Sequence, residues 1–280
     1  MTQTKHHPHH KATAKPYESN PFKVIFNGFD RLFKINQTWA IILLVLSLFG
    51  GFAQMFQYMI PGGSNSNPGS AGQVATSHPE FSGGLIAAIV VFVLIFGLIA
   101  LVVSMVIGVF YQGSAAYVAL RTAEGKTVGV GETLAAVAKK FWTILWIQIV
   151  VFFKILGGTL LLIVPGVRAA LRYQLVLLPV FDEGKSASEA IQTTKTLAKD
   201  HLLEIFGMVT AASVIPFVGP IFTIGGMSVM YPQLKELKAS GAPKPAVHWL
   251  NYLGFILLGS LLLFLLLLLA FIVLITIATN

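Results

Sequence analysis

A chain of 280 residues with 55% hydrophobic side chains, only 11% charged ones and a mean hydropathy of +0.78 falls outside the range of ordinary globular domains, about a quarter of whose residues are charged. Its net charge of +8 does not point to nucleic acid, because the lysines and arginines stand in tails and short connectors flanking long apolar runs, where anionic lipid headgroups are the simpler partner. The absence of cysteine excludes disulfides, cysteine-ligated zinc or iron–sulfur centres and thiol catalysis, and leaves the compartment open.

Residues 1–19 are polar, rich in His and Lys, interrupted by Pro8 and Pro16, and read as a disordered cytoplasmic tail. The histidines His6, His7, His9 and His10 lack the ordered surroundings that a specific metal site needs, so no metal or other cofactor is expected. Asn20 followed by Pro21 marks a helix start. Over residues 20–36, Phe22, Phe26, Phe29 and Phe33 recur at helical spacing, opposite Lys23, Asn27, Asp30, Arg31 and Lys34. This basic amphipathic helix lies either on the cytoplasmic membrane surface or against the protein's own bundle.

Two apolar spans follow, over residues 39–60 and 84–111, each long enough for a hydrocarbon core of about 30 Å. The first begins too late and runs too long for the core of a cleavable signal peptide, so it is expected to stay as an anchor. The connection over residues 61–83 holds Gly, Ser, Asn and Glu80 but no Lys or Arg, whereas the other connectors are basic. By the positive-inside rule this connection is outside and the N-terminus cytoplasmic. In the second span Ala100, Ser104 and Gly108 recur every fourth residue, a face on which a neighbouring helix can approach closely.

Beyond Arg121, Glu124 and Lys126 the chain reads as a parallel repeat, residues 129–181 and 186–234. The first unit has a short amphipathic helix with Leu134, Val137, Ala138 and Phe141 on one face, an apolar helix, a break at Pro165 and Gly166, and a second apolar helix with Pro179 near its end. The second unit opens on a capping box, Ser186 with Glu189. Its amphipathic helix leads to an apolar helix broken at Pro216, Gly219 and Pro220, and a last helix runs to Pro232. The segments over residues 167–181 and 201–215 reach only about 23 Å as helices, so each broken pair is a full or a re-entrant hairpin with both ends in the cytoplasm. A Leu-rich helix over residues 250–278 ends the chain outside.

The chain is thus expected to be all-α: residues 20–280 form one polytopic membrane domain with six or seven transmembrane helices, two pairs of them full or re-entrant hairpins, plus interfacial amphipathic helices. It is placed in the inner or plasma membrane as a multi-pass protein.

Three basic residues interrupt apolar runs. Arg168 and Arg172 share a helical face just after Pro165 and Gly166, and Lys154 lies within the preceding helix. Charge at membrane depth is costly and usually has a use. Either these residues bind an anionic group, or Arg168 reaches the headgroups while Arg172 and Lys154 pair inside the bundle. Asp182, Glu183 and Glu204 are the candidate partners. No phosphate-loop, nucleophile-elbow or zinc-protease motif is present, and Gly125-Lys126-Thr127 and Gly184-Lys185-Ser186 read as turns.

Residues 162–207 resemble the membrane domain attached to some bacterial glycerophosphoryl diester phosphodiesterases and the related YciC-like inner-membrane proteins. The likeness rests on Val164, Pro165, Gly166 and Val167; on Pro179, Val180, Glu183 and Gly184; and on Ala190, Ile191, Thr194 and Leu197. Residues 131–142 are similar to that family's earlier amphipathic helix. Lys199-Asp200 departs from its usual basic-Gly pair, and the final Leu-rich helix is additional. The resemblance implies a membrane location and no defined activity. The expected function is a non-catalytic membrane protein that engages lipids or a protein partner at the cytoplasmic face. The alternative is a small transporter or channel with its site at the Pro/Gly-broken helices; a catalytic role would need a carboxylate–histidine metal cluster that the sequence does not offer.

Overall fold

The computed structural model describes residues 17–59 and 83–279; the histidines at 6–10 and nearly all of the connection over residues 61–83 lie outside them. The described residues are helical and contain no strand. The helices are α1 (Pro21–Ile35), α2 (Gln37–Met59), α3 (Gly83–Ala123), α4 (Val130–Lys139), α5 (Phe141–Leu161), α6 (Ile163–Tyr173), α7 (Leu178–Asp182), α8 (Ala187–Ala198), α9 (Leu202–Ser213), α10 (Gly219–Ser240) and α11 (Leu253–Thr279), with a 3-10 turn at Trp249–Tyr252 before α11.

The expected start of α1 is present: the Asn20 side chain accepts from the backbone N–H groups of Phe22 and Lys23, with Pro21 in the first turn. Its buried side, however, is Val24, Ile25, Gly28 and Leu32 rather than the phenylalanine stripe. That side lies on α10, where Gly28 and Gly225 bring the two backbones into direct contact. Phenylalanines flank the crossing. Phe29 stacks on Phe222 with centroids 4.3 Å apart, and Phe26 meets the same ring edge-on at 5.4 Å. The stripe rotates away from the centre because only a glycine row permits so close a crossing.

Only Asn36 separates α1 from α2, and it is buried. Its amide donates to Thr122 Oγ1 (2.9 Å) and to the Lys126 carbonyl (3.1 Å), and its oxygen accepts from Val128 N (2.8 Å). The α1–α2 corner is thereby tied to the end of α3 and the start of the next loop.

α3 continues 12 residues past the expected end at 111 and divides into two parts. From Ile89 to Val103 its large apolar side chains are exposed, whereas Val109 and residues 115–120 are in the core. Ala100 and Ser104 are exposed and a Cβ on Gly108 would meet nothing, so the small-residue row is not a close helix crossing among the described residues; Gly108 meets α5 only through its carbonyl, which accepts from Gln148. On α4, too, the inward face is rotated from the expected one: Thr133 and Val137 are buried, Leu134 and Ala138 are not.

The first break precedes the proline. Leu162 is extended, and Pro165 and Gly166 sit in the first turn of α6, where a missing N–H costs nothing. Gly166 has a separate use: it packs against Gly158 and Thr159, closing the α5–α6 hairpin tightly. The second break spans Val214 to Val218. Pro232 does not end α10, which runs through it to Ser240 and stops at Gly241 in the left-handed conformation (φ 61°). The segment over 129–181 takes in four helices, α4 to α7, of 10, 21, 11 and 5 residues, whereas that over 186–234 takes in three, α8 to α10, of 12, 12 and 22.

Among the described residues two helices, Ile89–Ala123 within α3 and Phe141–Leu161, are long and apolar enough to cross a membrane. With 11 and 12 residues, α6 and α9 reach about 17–18 Å, well below a ~30 Å hydrocarbon core.

Candidate functional site

Four helices and one helix break surround a cavity of about 660 Å³. α3 contributes Tyr111 and Gln112, α5 contributes Gln148, the end of α6 contributes Tyr173 and Gln174, and α10 contributes Thr223. The last wall is the α9–α10 break, with Ser213, Pro216, Phe217, Gly219 and Pro220. Three of the predicted break positions, Pro216, Gly219 and Pro220, therefore line one site, while Pro165 and Gly166 do not. Gln148 donates to the Gly108 carbonyl at 3.3 Å, which spreads the amides around the wall. Gly219 fits because a Cβ there would meet the Ala212 carbonyl oxygen at 2.7 Å. Phe217 holds a positive φ of 63°, a conformation that costs a bulky residue of order 1–3 kcal/mol.

Among the described residues, Lys154, Arg168 and Arg172 form no ion pair with a carboxylate. Lys154 Nζ lies 3.4 Å from Tyr173 Oη and 5.1 Å from the centroid of that ring, a cation–π arrangement at the cavity rim. Arg168 is exposed and Arg172 half-buried, and the buried Arg172 Nε has no acceptor. None of the expected carboxylates pairs with these three residues among the described residues, although Glu204 Oε2 is buried without a partner. Asp182 accepts from Tyr231 (2.8 Å) and Lys235 (2.5 Å). Glu183 pairs with Lys185 (2.6 Å) and Lys235 (2.9 Å). Glu204, 1% exposed, faces His201 and Lys244, each at 3.4 Å.

These pairs belong to one charged end. Lys140 donates to the Gly184 carbonyl, Lys238 to Thr196 and Lys244 to the Asp200 carbonyl, so the connectors after α4, α7, α8 and α10 are cross-linked there. Tyr117 donates to Glu132 (2.8 Å) and accepts from Arg121 (3.2 Å), while Arg121 and Lys126 both hold Glu124 at 2.8 Å. The Lys185 ammonium beside Glu183, with Lys235 behind it, holds that carboxyl below the ordinary range. Ser186 and Glu189 form the expected capping box.

The sequence reading missed Asn36, a polar residue with three partners, and the cavity glutamines. Gln112 and Gln148 carried a visible signal, an amide within an apolar run. Asn36 carried none, because its partners are 86 to 92 residues away. No family model, curated protein or solved structure matches the chain.

Proposed function

We propose that this chain is a multi-pass protein of the inner or plasma membrane, N-terminus inside, that engages anionic lipids or a protein partner through its charged face and does no catalysis. One observation carries the reading: helix by helix, polarity falls in the same direction. α2 leads from buried Asn36 to exposed Ile41, Val45 and Leu46. α5 leads from Lys139 and Lys140 to exposed Phe152, Phe153, Leu160 and Leu161, with Lys154 the exception, and α11 from Lys244 and His248 to large apolar side chains over 263–277 that are 44% exposed or more. α3 does the same in reverse, ending on Arg121. Apolar surface on this scale is far beyond the few hundred Å² that a soluble monomer tolerates. Trp142, Trp146 and Trp249 are exposed at the charged ends of their helices, where an aromatic belt marks a membrane interface. In this reading α2, α3 and α11 cross, and α5–α6 and α9–α10 are hairpins whose two ends both return to the cytoplasmic side, the short α6 and α9 forming one arm of each. The resemblance of residues 162–207 to the phosphodiesterase membrane domain points the same way.

A second reading, transport, is favoured by the cavity at the α9–α10 break, since interrupted helices near the membrane midplane are where transporters place substrates. The topology is tested with an impermeant maleimide on intact cells, using Ser70→Cys and Lys126→Cys separately in this cysteine-free chain. Ser70 is expected to label from outside and Lys126 only after the membrane is opened. Labelling of both from outside refutes the arrangement.

A further inference from the structure

The second large cavity, about 820 Å³, lies between α2, α3 and α4. Its lining is mostly apolar: Leu43 and Leu46 from α2, Val106 and Phe110 from α3, Leu134 from α4. At one end sits Trp39, which is 4% exposed and whose indole N–H is buried with no acceptor among the described residues. A buried donor left unpaired is rare and costly, so an acceptor is expected to supply what the protein does not.

The groove runs where α2 and α3, consecutive apolar helices, make no extended contact among the described residues. Its ends differ. Trp39 and Leu134 stand near the charged end, three residues from Asn36 and five from Lys139 respectively. From Trp39 to Ser47 the groove follows α2 for about 12 Å. It then reaches Leu46 and Ile107, 48% and 63% exposed, where it is continuous with the bare apolar face of α3. A hydrogen-bond acceptor at the charged end, followed by a flexible hydrocarbon chain, matches both ends at once.

We propose that this groove holds one acyl chain of a membrane lipid, its ester carbonyl accepting from Trp39 Nε1–H and its hydrocarbon running towards Leu46 and Ile107. The proposal rests on the membrane reading and adds a seat of defined polarity to it. A second protein copy fits less well, since a side chain entering from the open mouth would have to carry an acceptor the full length of the groove. The lipid ester already lies at the depth where the hydrocarbon begins.

The test uses the full chain in dodecylmaltoside micelles with Trp39 as sole tryptophan (Trp142→Phe, Trp146→Phe, Trp249→Phe) and phosphatidylglycerol with dibrominated acyl chains as quencher. Quenching of Trp39 is expected to saturate at one lipid per protein. Leu134→Glu, at a 40% exposed position where folding is little disturbed, is expected to weaken that binding at least tenfold. In the otherwise native chain, Trp39→Phe keeps a ring and removes the donor, and is expected to lower retention of a single phosphatidylglycerol in native mass spectrometry about tenfold, the equivalent of one good hydrogen bond. Quenching that only tracks bulk lipid fraction, or that survives Leu134→Glu unchanged, overturns the proposal. A separate arm keeps Trp142 and Trp146 alone in bilayers of the brominated lipid. If these are quenched while Trp39 shows no saturable site, the groove falls and the membrane reading stands; if they are not quenched, both fall.

Discussion

Replacing Gly225 by alanine separates two accounts of α1: a helix laid on the membrane, or one locked to α10. The added methyl meets Phe29 N at 2.6 Å and Gly28 C at 2.7 Å. Ordinary contact begins near 3.4 Å, so the backbones must part by about 0.8 Å. Because both obstacles are main-chain atoms, no rotamer change relieves them. A gap of 0.5–1 Å forfeits a quarter to a half of each dispersion well, and the side chains lifted with α1 include Val24, Ile25 and Leu32, each 1% exposed or less. Fully burying such a side chain is worth about 1.5–3 kcal/mol; losing a third of this at three residues costs about 1.5–3 kcal/mol. Alanine returns up to about 1 kcal/mol in helix propensity, leaving a net loss of about 0.5–2 kcal/mol. The assay is thermal unfolding in detergent followed by circular dichroism, with Gly97→Ala as control, a helical glycine that has nothing within 4 Å. Gly225→Ala is expected to lower the midpoint by several degrees and Gly97→Ala to leave or slightly raise it. Equal midpoints for the two variants would refute the locked crossing and return α1 to the membrane surface.

Asn36→Ala removes three buried hydrogen bonds and orphans their partners, so a loss of about 2–4 kcal/mol is expected, read as a lower unfolding midpoint; a shift no larger than that of exposed Asn27→Ala would refute the clamp. Arg172→Leu is expected to leave the midpoint unchanged or raise it, because the arginine has no carboxylate to abandon and its Nε is buried unpaired; a large fall would reveal a partner the geometry does not show. Glu183 has a folded pKa below its unfolded value near 4.3, with Lys185 the principal cause and Lys235 the next. The unfolded chain therefore binds the extra proton as pH drops, and the stabilisation, complete above about pH 5, is lost as pH falls through the folded pKa. Midpoints measured from pH 6 to pH 3 are expected to fall less steeply for Glu183→Gln than for the native chain.

Local signals placed most helices. Asn20-Pro21 and Ser186 with Glu189 start α1 and α8 where capping chemistry puts them, and apolar length alone marks α3 and α5. What failed was orientation about the helix axis. The phenylalanines of α1 outweigh Val24 and Ile25 in any hydrophobic pattern, yet a glycine on a different helix, 197 residues further on, decides which side turns inward. Breaks were displaced for a similar reason: Pro165 signals where a helix can begin, so the interruption falls three residues earlier, while Pro232 is absorbed because α10 is held on several sides. The basic residues Lys154, Arg168 and Arg172 were legible as anomalies, but their partners depended on pairings that the charged end had already completed.

That completion bears on where function resides. Asp182, Glu183, Glu124 and Glu204 each face two basic or hydroxyl groups, so these carboxylates join the connectors of the charged end, with Glu204 Oε2 left buried and unpaired. Exposed lysines such as Lys195 and Lys199 remain on the same end, and an anionic bilayer surface attracts such residues at about 1 kcal/mol each. The amide-lined cavity and the apolar groove share Tyr111, Phe217 and Pro220 in their walls. Phe217 is the residue with the unfavourable backbone conformation, so the strain sits where the amide-lined cavity meets the apolar groove. A molecule with a polar head and a hydrocarbon tail suits that boundary better than a small ion does. On this argument the second reading, if it holds, is transport of an amphiphile. Phe217→Gly, which removes both the ring and the strain, is then expected to raise stability while changing how brominated lipid reaches Trp39. A variant that gains stability with the quenching of Trp39 unaltered would separate the two cavities and leave the break a purely structural turn.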